Sequence, residues 1–236
     1  MDRRTFGAEG DDDLVFVLGW GNKLFHGNVR WLIDRLVEAE YRVHAFRIPT
    51  TIGDFRSEYV EPVAEFVNQL DGYRLLSHST GGLIAAYLDG AERRVYLSPF
   101  WGFPEGPQEV LFGLLAKVPT SAELLPAGTT DREALGDLAT DRQLETGASV
   151  AAPSWIRECL AAQEGLPPID DDAVVFCSLR DRVVSTRAIG ERVSADRVVL
   201  YDGGHELFSS SSRERHVDTV LAALADGAAA VRPRSG

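Results

Sequence analysis

The sequence predicts an α/β fold, in which a mostly parallel six-stranded sheet is flanked by helices and interrupted by a helical insertion. Apolar runs of strand length alternate with helical periodicity from residue 14 to residue 98, and the alternation resumes at residue 173. Between them, residues 100–172 contain no β-branched run and are punctuated by prolines. Alternation with short connections is typical of parallel strands covered by helices on both faces.

The first part of the chain predicts two strands and two helices. Residues 14–18 are a continuous apolar run, which is typical of a strand covered on both faces. Residues 41–48 alternate in polarity and end at Pro49, so they predict a second strand. Apolar residues recur at helical spacing within residues 29–37 and 60–70, and each of these segments predicts a helix.

Two further strands are predicted before the insertion. One contains Leu75 and Leu76 and leads through a tight turn into an apolar helix at residues 83–88. The other covers residues 94–98. The polar and acidic residues 1–13, which precede the whole pattern, are expected to be loosely held.

Residues 100–172 are predicted to form a helical lid, inserted into a core made by residues 1–99 and 173–236. Short helical patterns lie between its prolines, and this glycine–proline punctuation predicts loops that let the lid move. The alternative is that these segments are ordinary crossover helices. The segment is too long for a single crossover, which favours the lid.

The sheet is predicted to resume after the insertion and to end before a last helix. Residues 173–177 and 197–201 are short apolar runs that predict the fifth and sixth strands. Ser211 and Glu214 have the spacing of a capping box, and apolar residues follow within 217–224 at helical spacing. The chain therefore predicts a helix at its C-terminal end.

The composition disfavours two classes of partner and bears on location and on metal binding. The formal net charge is −12, which disfavours nucleic acids and anionic membranes. No apolar run approaches the roughly 18 residues of a membrane span, and no apolar signal core follows Arg3 and Arg4, so a cytoplasmic location is predicted. Cys159 and Cys177 are too few for a disulfide framework. No His/Cys cluster has metal-ligand spacing, so no metal is expected.

The turn after the third predicted strand places a serine at its apex. The segment Leu75–Gly82 fits the pattern G-x-S-x-G, with Ser77 in the place of the first glycine and Ser79 as the central residue. Small residues are needed there because the backbones of strand and helix nearly touch. The free N–H groups at the helix N-terminus favour a developing negative charge. The alternative is a serine that only caps the helix.

A nucleophilic serine needs a base and a group that orients the base, and two candidates follow later strands. Asp181 follows the fifth predicted strand, and His205 follows the sixth. Because ligands bind at the carboxyl ends of parallel strands, these residues are expected to meet Ser79. Asp181 could instead cap a helix or pair with Arg182, and His205 could be a simple turn residue. Asp202 is a rival acid, but it lies only three residues before His205.

The order Ser79, Asp181, His205 resembles that of the α/β-hydrolase superfamily, and the resemblance covers residues 14–224. It implies a Ser-His-Asp catalytic triad. The Gly19-Trp20-Gly21 loop resembles the oxyanion-hole loop of the family, which implies that the backbone N–H groups of Trp20 and Thr80 stabilise the oxyanion. The turn that carries Ser79, called the nucleophile elbow in this family, is similar to that of lid-bearing esterases and monoacylglycerol-lipase-like members. The predicted lid is similar to theirs as well. Nothing resembling a P-loop or a G-x-G-x-x-G motif follows the first strand, which argues against a nucleotide-binding fold.

The predicted function is a serine hydrolase that cleaves a carboxylic ester of a small-molecule acyl substrate through an acyl-enzyme. This mechanism implies no cofactor. Thioesterase, amidase or peptidase and carbon–carbon bond hydrolase activities use the same triad and remain open. A non-catalytic ligand-binding protein on a hydrolase scaffold is the alternative of another class. Phe100, Trp101 and Phe103 are candidates to line the acyl site. The oligomeric state is not predicted.

Overall fold

The computed structural model describes residues 1–106, 112–126 and 131–232. It has a seven-stranded, mostly parallel sheet with the strand order β1-β3-β2-β4-β5-β8-β9. The α/β class is confirmed, with one strand more than the six predicted. The strands of this sheet are β1 (Asp2–Phe6), β2 (Asp12–Val17), β3 (Tyr41–Arg47), β4 (Arg74–His78), β5 (Arg93–Leu97), β8 (Val174–Cys177) and β9 (Val198–Leu200). Two short antiparallel strands, β6 (Leu125–Pro126) and β7 (Val150–Ala151), pair outside it.

Helices cover both faces of the sheet and form two hydrophobic cores. One core contains apolar side chains of the first and last helices, and the other contains those of residues 61–67, 80–85, 153–164 and 186–190, which are helical. The α-helices are α1 (Gly27–Glu38), α2 (Glu61–Val67), α3 (Thr80–Ala85), α4 (Arg132–Leu135), α5 (Asp141–Thr146), α6 (Pro153–Glu164), α7 (Thr186–Gly190) and α8 (Arg213–Asp226). Among the described residues, no helix is long and apolar enough to cross a membrane.

Strand β2 shows why the first apolar run is continuous. Leu14 and Phe16 belong to the core on one side of the sheet, whereas Val15 and Val17 belong to the core on the other side. All four side chains are inaccessible to solvent. A strand that is buried on both faces needs apolar residues at every position, since successive side chains point to opposite faces.

The additional strand β1 lies in the N-terminal segment that was expected to be loosely held. It pairs antiparallel with β3, with Arg4 opposite Ala45 and Thr5 opposite His44. Its side chains are mostly exposed, so it has no apolar alternation that could reveal it. Backbone pairing, the Thr5 Oγ1–His44 Nδ1 hydrogen bond of 3.0 Å and the stacking of Arg3 on Phe66 hold it in place. The prediction of six strands and a loose N-terminus was wrong for this reason.

The segment between β5 and β8 contains helices that match the predicted helical patterns only in part. The pattern at residues 155–160 lies in α6. Residues 110–111 of the pattern at 110–115 lie outside the described residues, and residues 138–139 of the pattern at 135–139 are not helical. Residues 112–115 are helical, and α4, α5 and α6 follow them. In α6, Trp155, Ile156 and Cys159 are buried in the same core as strand residues such as Val175. Helix α6 therefore packs on the sheet as a crossover helix would.

Candidate active site

Ser79 lies at the tight turn between β4 and α3, in a strained backbone conformation. Its φ of 53° and ψ of −122° fall in a region that non-glycine residues rarely adopt. Three hydrogen bonds hold the turn: Ser79 N–H donates to the Leu97 carbonyl, and the Ser79 carbonyl accepts from Gly82 N–H and Phe100 N–H. A Cβ at Gly81 would lie 2.2 Å from the Val17 carbonyl oxygen, so only glycine fits there.

Asp181 and His205 meet as the sequence predicts. His205 Nδ1 and Asp181 Oδ2 are 2.8 Å apart, and both side chains are buried. The other carboxylate oxygen of Asp181 accepts from the backbone N–H groups of Val183 at 2.8 Å and Val184 at 3.1 Å. Asp202, the rival acid, is instead exposed and pairs with Arg180. The structure therefore places Asp181, and not Asp202, against the histidine.

The pair Asp181–His205 shifts the pKa of each partner. Burial by itself raises the pKa of Asp181, but the His205 charge and hydrogen bond and the two backbone N–H groups outweigh burial and bring it below its ordinary value. Burial lowers the pKa of His205, yet the Asp181 carboxylate outweighs this and raises it above its ordinary value. The arrangement stabilises an imidazolium at His205 while Asp181 stays ionised.

Ser79 and His205 line the same cavity, which has a volume of about 740 Å³. Among the described residues, the Ser79 hydroxyl and the His205 ring form no hydrogen bond with each other. Nucleophile–base hydrogen bonds are often long before substrate binds, so this geometry is compatible with a catalytic role. Because Nδ1 of His205 faces Asp181, Nε2 is the ring nitrogen that remains for the serine.

The loop after β2 carries the first predicted oxyanion donor, and the turn after Ser79 carries the second. Trp20 and Thr80 both line the cavity. Among the described residues, no acceptor is found for the backbone N–H of either one. An oxyanion hole is formed by backbone N–H groups that are free to donate to the substrate.

Two of the three predicted acyl-site residues line the cavity. Phe100 and Phe103 do so, and their rings are in contact, with centroids 4.7 Å apart. Trp101 is not among the lining residues. It is 2% exposed, packs on Tyr96 and donates its indole N–H to the Gly82 carbonyl, so it stabilises the core beneath the turn.

Several lining residues have no counterpart among the predicted site residues. Trp155 of α6 lines the cavity and lies between Trp20, at a centroid distance of 4.9 Å, and Phe100, at 6.0 Å. Gln143 and Glu206 are buried polar residues of the lining. Glu206 directly follows His205, and this adjacency is the one sequence signal that could have identified it.

The α4 region is bonded directly to the loop that carries the histidine. His205 N–H donates to the Ala134 carbonyl at 2.8 Å, and Glu206 N–H donates to the Leu135 carbonyl at 2.7 Å. Gly204 has no room for a Cβ, which would lie 2.6 Å from the Glu133 carbonyl oxygen. Helix α4, which belongs to the insertion, therefore fixes the position of the backbone at His205.

Comparisons with known proteins agree with this architecture. Residues 14–223 match the family model described as "Alpha/beta hydrolase family". A comparison with curated protein sequences finds no match. Many solved structures are similar to this chain.

Three of these structures illustrate the similarity. The monoacylglycerol lipase of Paleococcus ferrophilus has a TM-score of 0.74 and 17% identity, covering 93% of this chain and 96% of that one. The esterase EaEST of Exiguobacterium antarcticum has a TM-score of 0.70 and 16% identity, covering 94% of each chain. A soluble variant of the monoglyceride lipase of Saccharomyces cerevisiae, in complex with a substrate analog, has a TM-score of 0.69 and 13% identity, covering 90% of this chain and 84% of that one. At these identities the likeness concerns the fold alone, and it is the family match over residues 14–223 that shows that the chain belongs to the alpha/beta hydrolase family.

Proposed function

We propose that the protein is a serine hydrolase that cleaves carboxylic esters, with Ser79 as nucleophile, His205 as general base and acid, and Asp181 as the group that orients His205. The observation that carries the proposal is the buried Asp181–His205 pair, 2.8 Å apart, beside the same cavity that holds the strained Ser79. A histidine held by a buried carboxylate and a serine on a strained turn are the parts that nucleophilic acyl transfer needs.

In the acylation step, Ser79 Oγ attacks the ester carbonyl carbon while its proton passes to His205 Nε2. The carbonyl oxygen becomes an oxyanion, which accepts hydrogen bonds from Trp20 N–H and Thr80 N–H. The raised pKa of His205 favours this proton transfer, because the Asp181 carboxylate stabilises the imidazolium. Collapse of the intermediate breaks the bond to the alcohol oxygen, which takes the proton from His205 Nε2 and leaves.

In the deacylation step, water replaces the alcohol and the same groups act in reverse. His205 Nε2 accepts a proton from water, the hydroxide attacks the acyl carbon, and the oxyanion again meets the two N–H groups. The acid is released when His205 returns the proton to Ser79 Oγ. The reaction needs no further reactant than the ester and water.

Two observations favour esters as the substrate class: the aromatic lining of the cavity and the similarity to structures of named lipases and esterases. The aromatic residues of the lining offer an acyl group a desolvated wall: Trp20, Phe100, Phe103, Phe112 and Trp155. The similar structures include proteins named as a monoacylglycerol lipase and an esterase. Thioesters, amides and activated carbon–carbon bonds are cleaved by the same groups, and a panel of such substrates would separate them.

Residues 100–172 are proposed as the segment that covers this cavity. Phe103, Phe112, Leu115, Leu125 and Leu144 of this segment contribute to the lining. Without them the strand ends that carry Ser79 and His205 would face solvent. Exclusion of water from the cavity would strengthen the hydrogen bonds to the oxyanion.

The test is covalent labelling with a fluorophosphonate, which reacts with an activated serine. The parent is expected to label, and Ser79→Ala is expected not to. Ser98→Ala is a matched control, because Ser98 is also a buried serine with positive φ at a strand end, but its hydroxyl bonds Tyr201. Labelling of Ser98→Ala should match that of the parent. A folded parent that does not label would contradict the proposal and favour a non-catalytic binding protein.

A further inference from the structure

A buried carboxylate beside the histidine has no part in the mechanism proposed above. Glu206 is 2% exposed and lines the cavity, directly after His205 in the chain. Among the described residues, no lysine or arginine forms an ion pair with it. A buried carboxylate is costly unless it is hydrogen-bonded, so its partners indicate why it is tolerated.

The partners of Glu206 are all donors, and they come from three different parts of the site. Asn22 Nδ2 donates to Glu206 Oε1 at 2.8 Å. The Gln143 side-chain amide and the Ser209 hydroxyl donate to Oε2. Because each partner presents a donor, the carboxylate can accept from all of them at once, which no neutral side chain of this shape could do. Glu206 thereby connects the histidine loop to the loop after β2 and to α5.

The Asn22 side chain is fixed in the orientation that this contact needs. Its Oδ1 accepts from Gly19 N–H at 3.2 Å and faces His78 Nδ1 at 3.0 Å. The Asn22 N–H donates to the Gly19 carbonyl at 3.2 Å. Trp20 lies within this closed turn, so the position of its N–H depends on Asn22.

We propose that Glu206 is a positioning residue. Acting through Asn22, it fixes the position of the Trp20 N–H relative to the His205 side chain; this inference rests on the proposed function. The backbone of Glu206 is bonded to the Leu135 carbonyl next to the bond that holds His205. Its side chain bonds the turn that carries the oxyanion donor. One residue thus joins the proton acceptor of the reaction to the donor that stabilises its oxyanion.

A charge-exchange pair of variants tests this role. In Glu206→Gln, the NH₂ group of the new amide faces at least one of the three donor groups, those of Asn22, Gln143 and Ser209. At least one hydrogen bond is then lost, because two donors cannot bond each other. In Asn22→Asp, two carboxylates face each other. In the double variant Asn22→Asp with Glu206→Gln, the amide at 206 can donate to the carboxylate at 22, while its oxygen accepts from Gln143 and Ser209. The hydrogen bonds are then restored with the charge on the other residue.

The measurement is steady-state hydrolysis of a p-nitrophenyl ester, with circular dichroism to establish that each variant is folded. Loss of an oxyanion donor costs about 10²- to 10³-fold, so partial misplacement should lower kcat about 10- to 100-fold in each single variant. KM should change less than about threefold, because the lost contact is made in the transition state. The double variant should recover at least about tenfold over the worse single variant.

Glu58→Gln is the matched control. Glu58 also accepts hydrogen bonds from loop N–H groups, those of Gly53 and Asp54, but it does not line the cavity. Its kcat should equal that of the parent. If Glu206→Gln does not fold, Asn22→Ala breaks the same connection from the other side and should lower kcat in the same range.

Two results would overturn the inference. One is an unchanged kcat in Glu206→Gln and Asn22→Ala together with a lowered melting temperature, which would make the contact merely structural. The other is a double variant no better than the single ones, with the acid limb of kcat/KM moved to lower pH in Glu206→Gln, which would mean that Glu206 acts on His205 by charge alone. If either result appears while the parent is labelled by the fluorophosphonate, only this inference is overturned and the proposed function stands. An unlabelled parent would overturn the proposed function and this inference with it.

Discussion

Replacement of Asp181 by asparagine should disable the histidine while leaving the fold intact. One oxygen of the Asp181 carboxylate accepts from two backbone N–H groups, of Val183 and Val184, and the other faces His205 Nδ1. An asparagine has one oxygen and one NH₂ group. If its oxygen keeps the two backbone hydrogen bonds, its NH₂ group faces His205 Nδ1. The ring must then lose the proton at Nδ1 and carry it at Nε2.

A histidine protonated at Nε2 cannot accept the proton of Ser79. The expected loss in kcat for this tautomer is about 10⁴-fold, equivalent to about 5.5 kcal/mol in the activation barrier. The assay is hydrolysis of a p-nitrophenyl ester, accompanied by thermal unfolding to verify that Asp181→Asn is folded. Fluorophosphonate labelling should slow in parallel, since it depends on the same activation of Ser79.

Asp202→Asn provides the control for this prediction. Asp202 lies on the same loop as His205, but it is exposed and pairs with Arg180. Because surface ion pairs contribute little, both activity and stability should remain close to those of the parent. The reasoning would be refuted if folded Asp181→Asn kept more than about a tenth of the parent kcat, or if Asp202→Asn lost as much activity as Asp181→Asn.

Two further predictions follow from the turn and from the histidine. Gly81→Ala should destabilise the protein by about 3 kcal/mol or more in a denaturant titration, because its Cβ would meet the Val17 carbonyl oxygen at 2.2 Å; Gly27→Ala, which meets nothing within 4 Å, should not, and equal stabilities would contradict the packing argument. The acid limb of the kcat/KM profile should have its midpoint above about 6.5, the ordinary pKa of histidine. The base must be neutral, so activity is lost as the pH falls through the raised pKa of His205, and a midpoint below that value would show that the Asp181 carboxylate does not control it.

The triad candidates could be found from the sequence because each follows a strand of a parallel sheet. The register of such a sheet brings the carboxyl ends of β4, β8 and β9 to one edge, so Ser79, Asp181 and His205 had to be neighbours once those strands were identified. The short loops that lead from β8 to Asp181 and from β9 to His205 also limit where these two side chains can lie. Local patterns therefore carried this part of the prediction.

The cavity wall was harder to predict because it depends on where side chains point in irregular segments. Phe100, Trp101 and Phe103 follow the same strand, yet the middle one turns into the core. Trp155 lies more than fifty residues later and reaches the cavity only because α6 packs on the sheet. Glu206 was not among the predicted site residues, since the burial of a carboxylate depends on partners far away in the chain, such as Asn22.

The hydrogen bonds between α4 and the histidine loop limit how this protein can be recombined with its relatives. An exchange of the segment between β5 and β8, as in the construction of chimaeras with altered selectivity, would remove the carbonyls of Ala134 and Leu135 to which His205 and Glu206 are bonded. It would also remove Gln143, a donor to Glu206. A graft that keeps residues 131–151 and replaces only the part before them would preserve these bonds. The boundary for swapping therefore falls inside the insertion and not at its two ends.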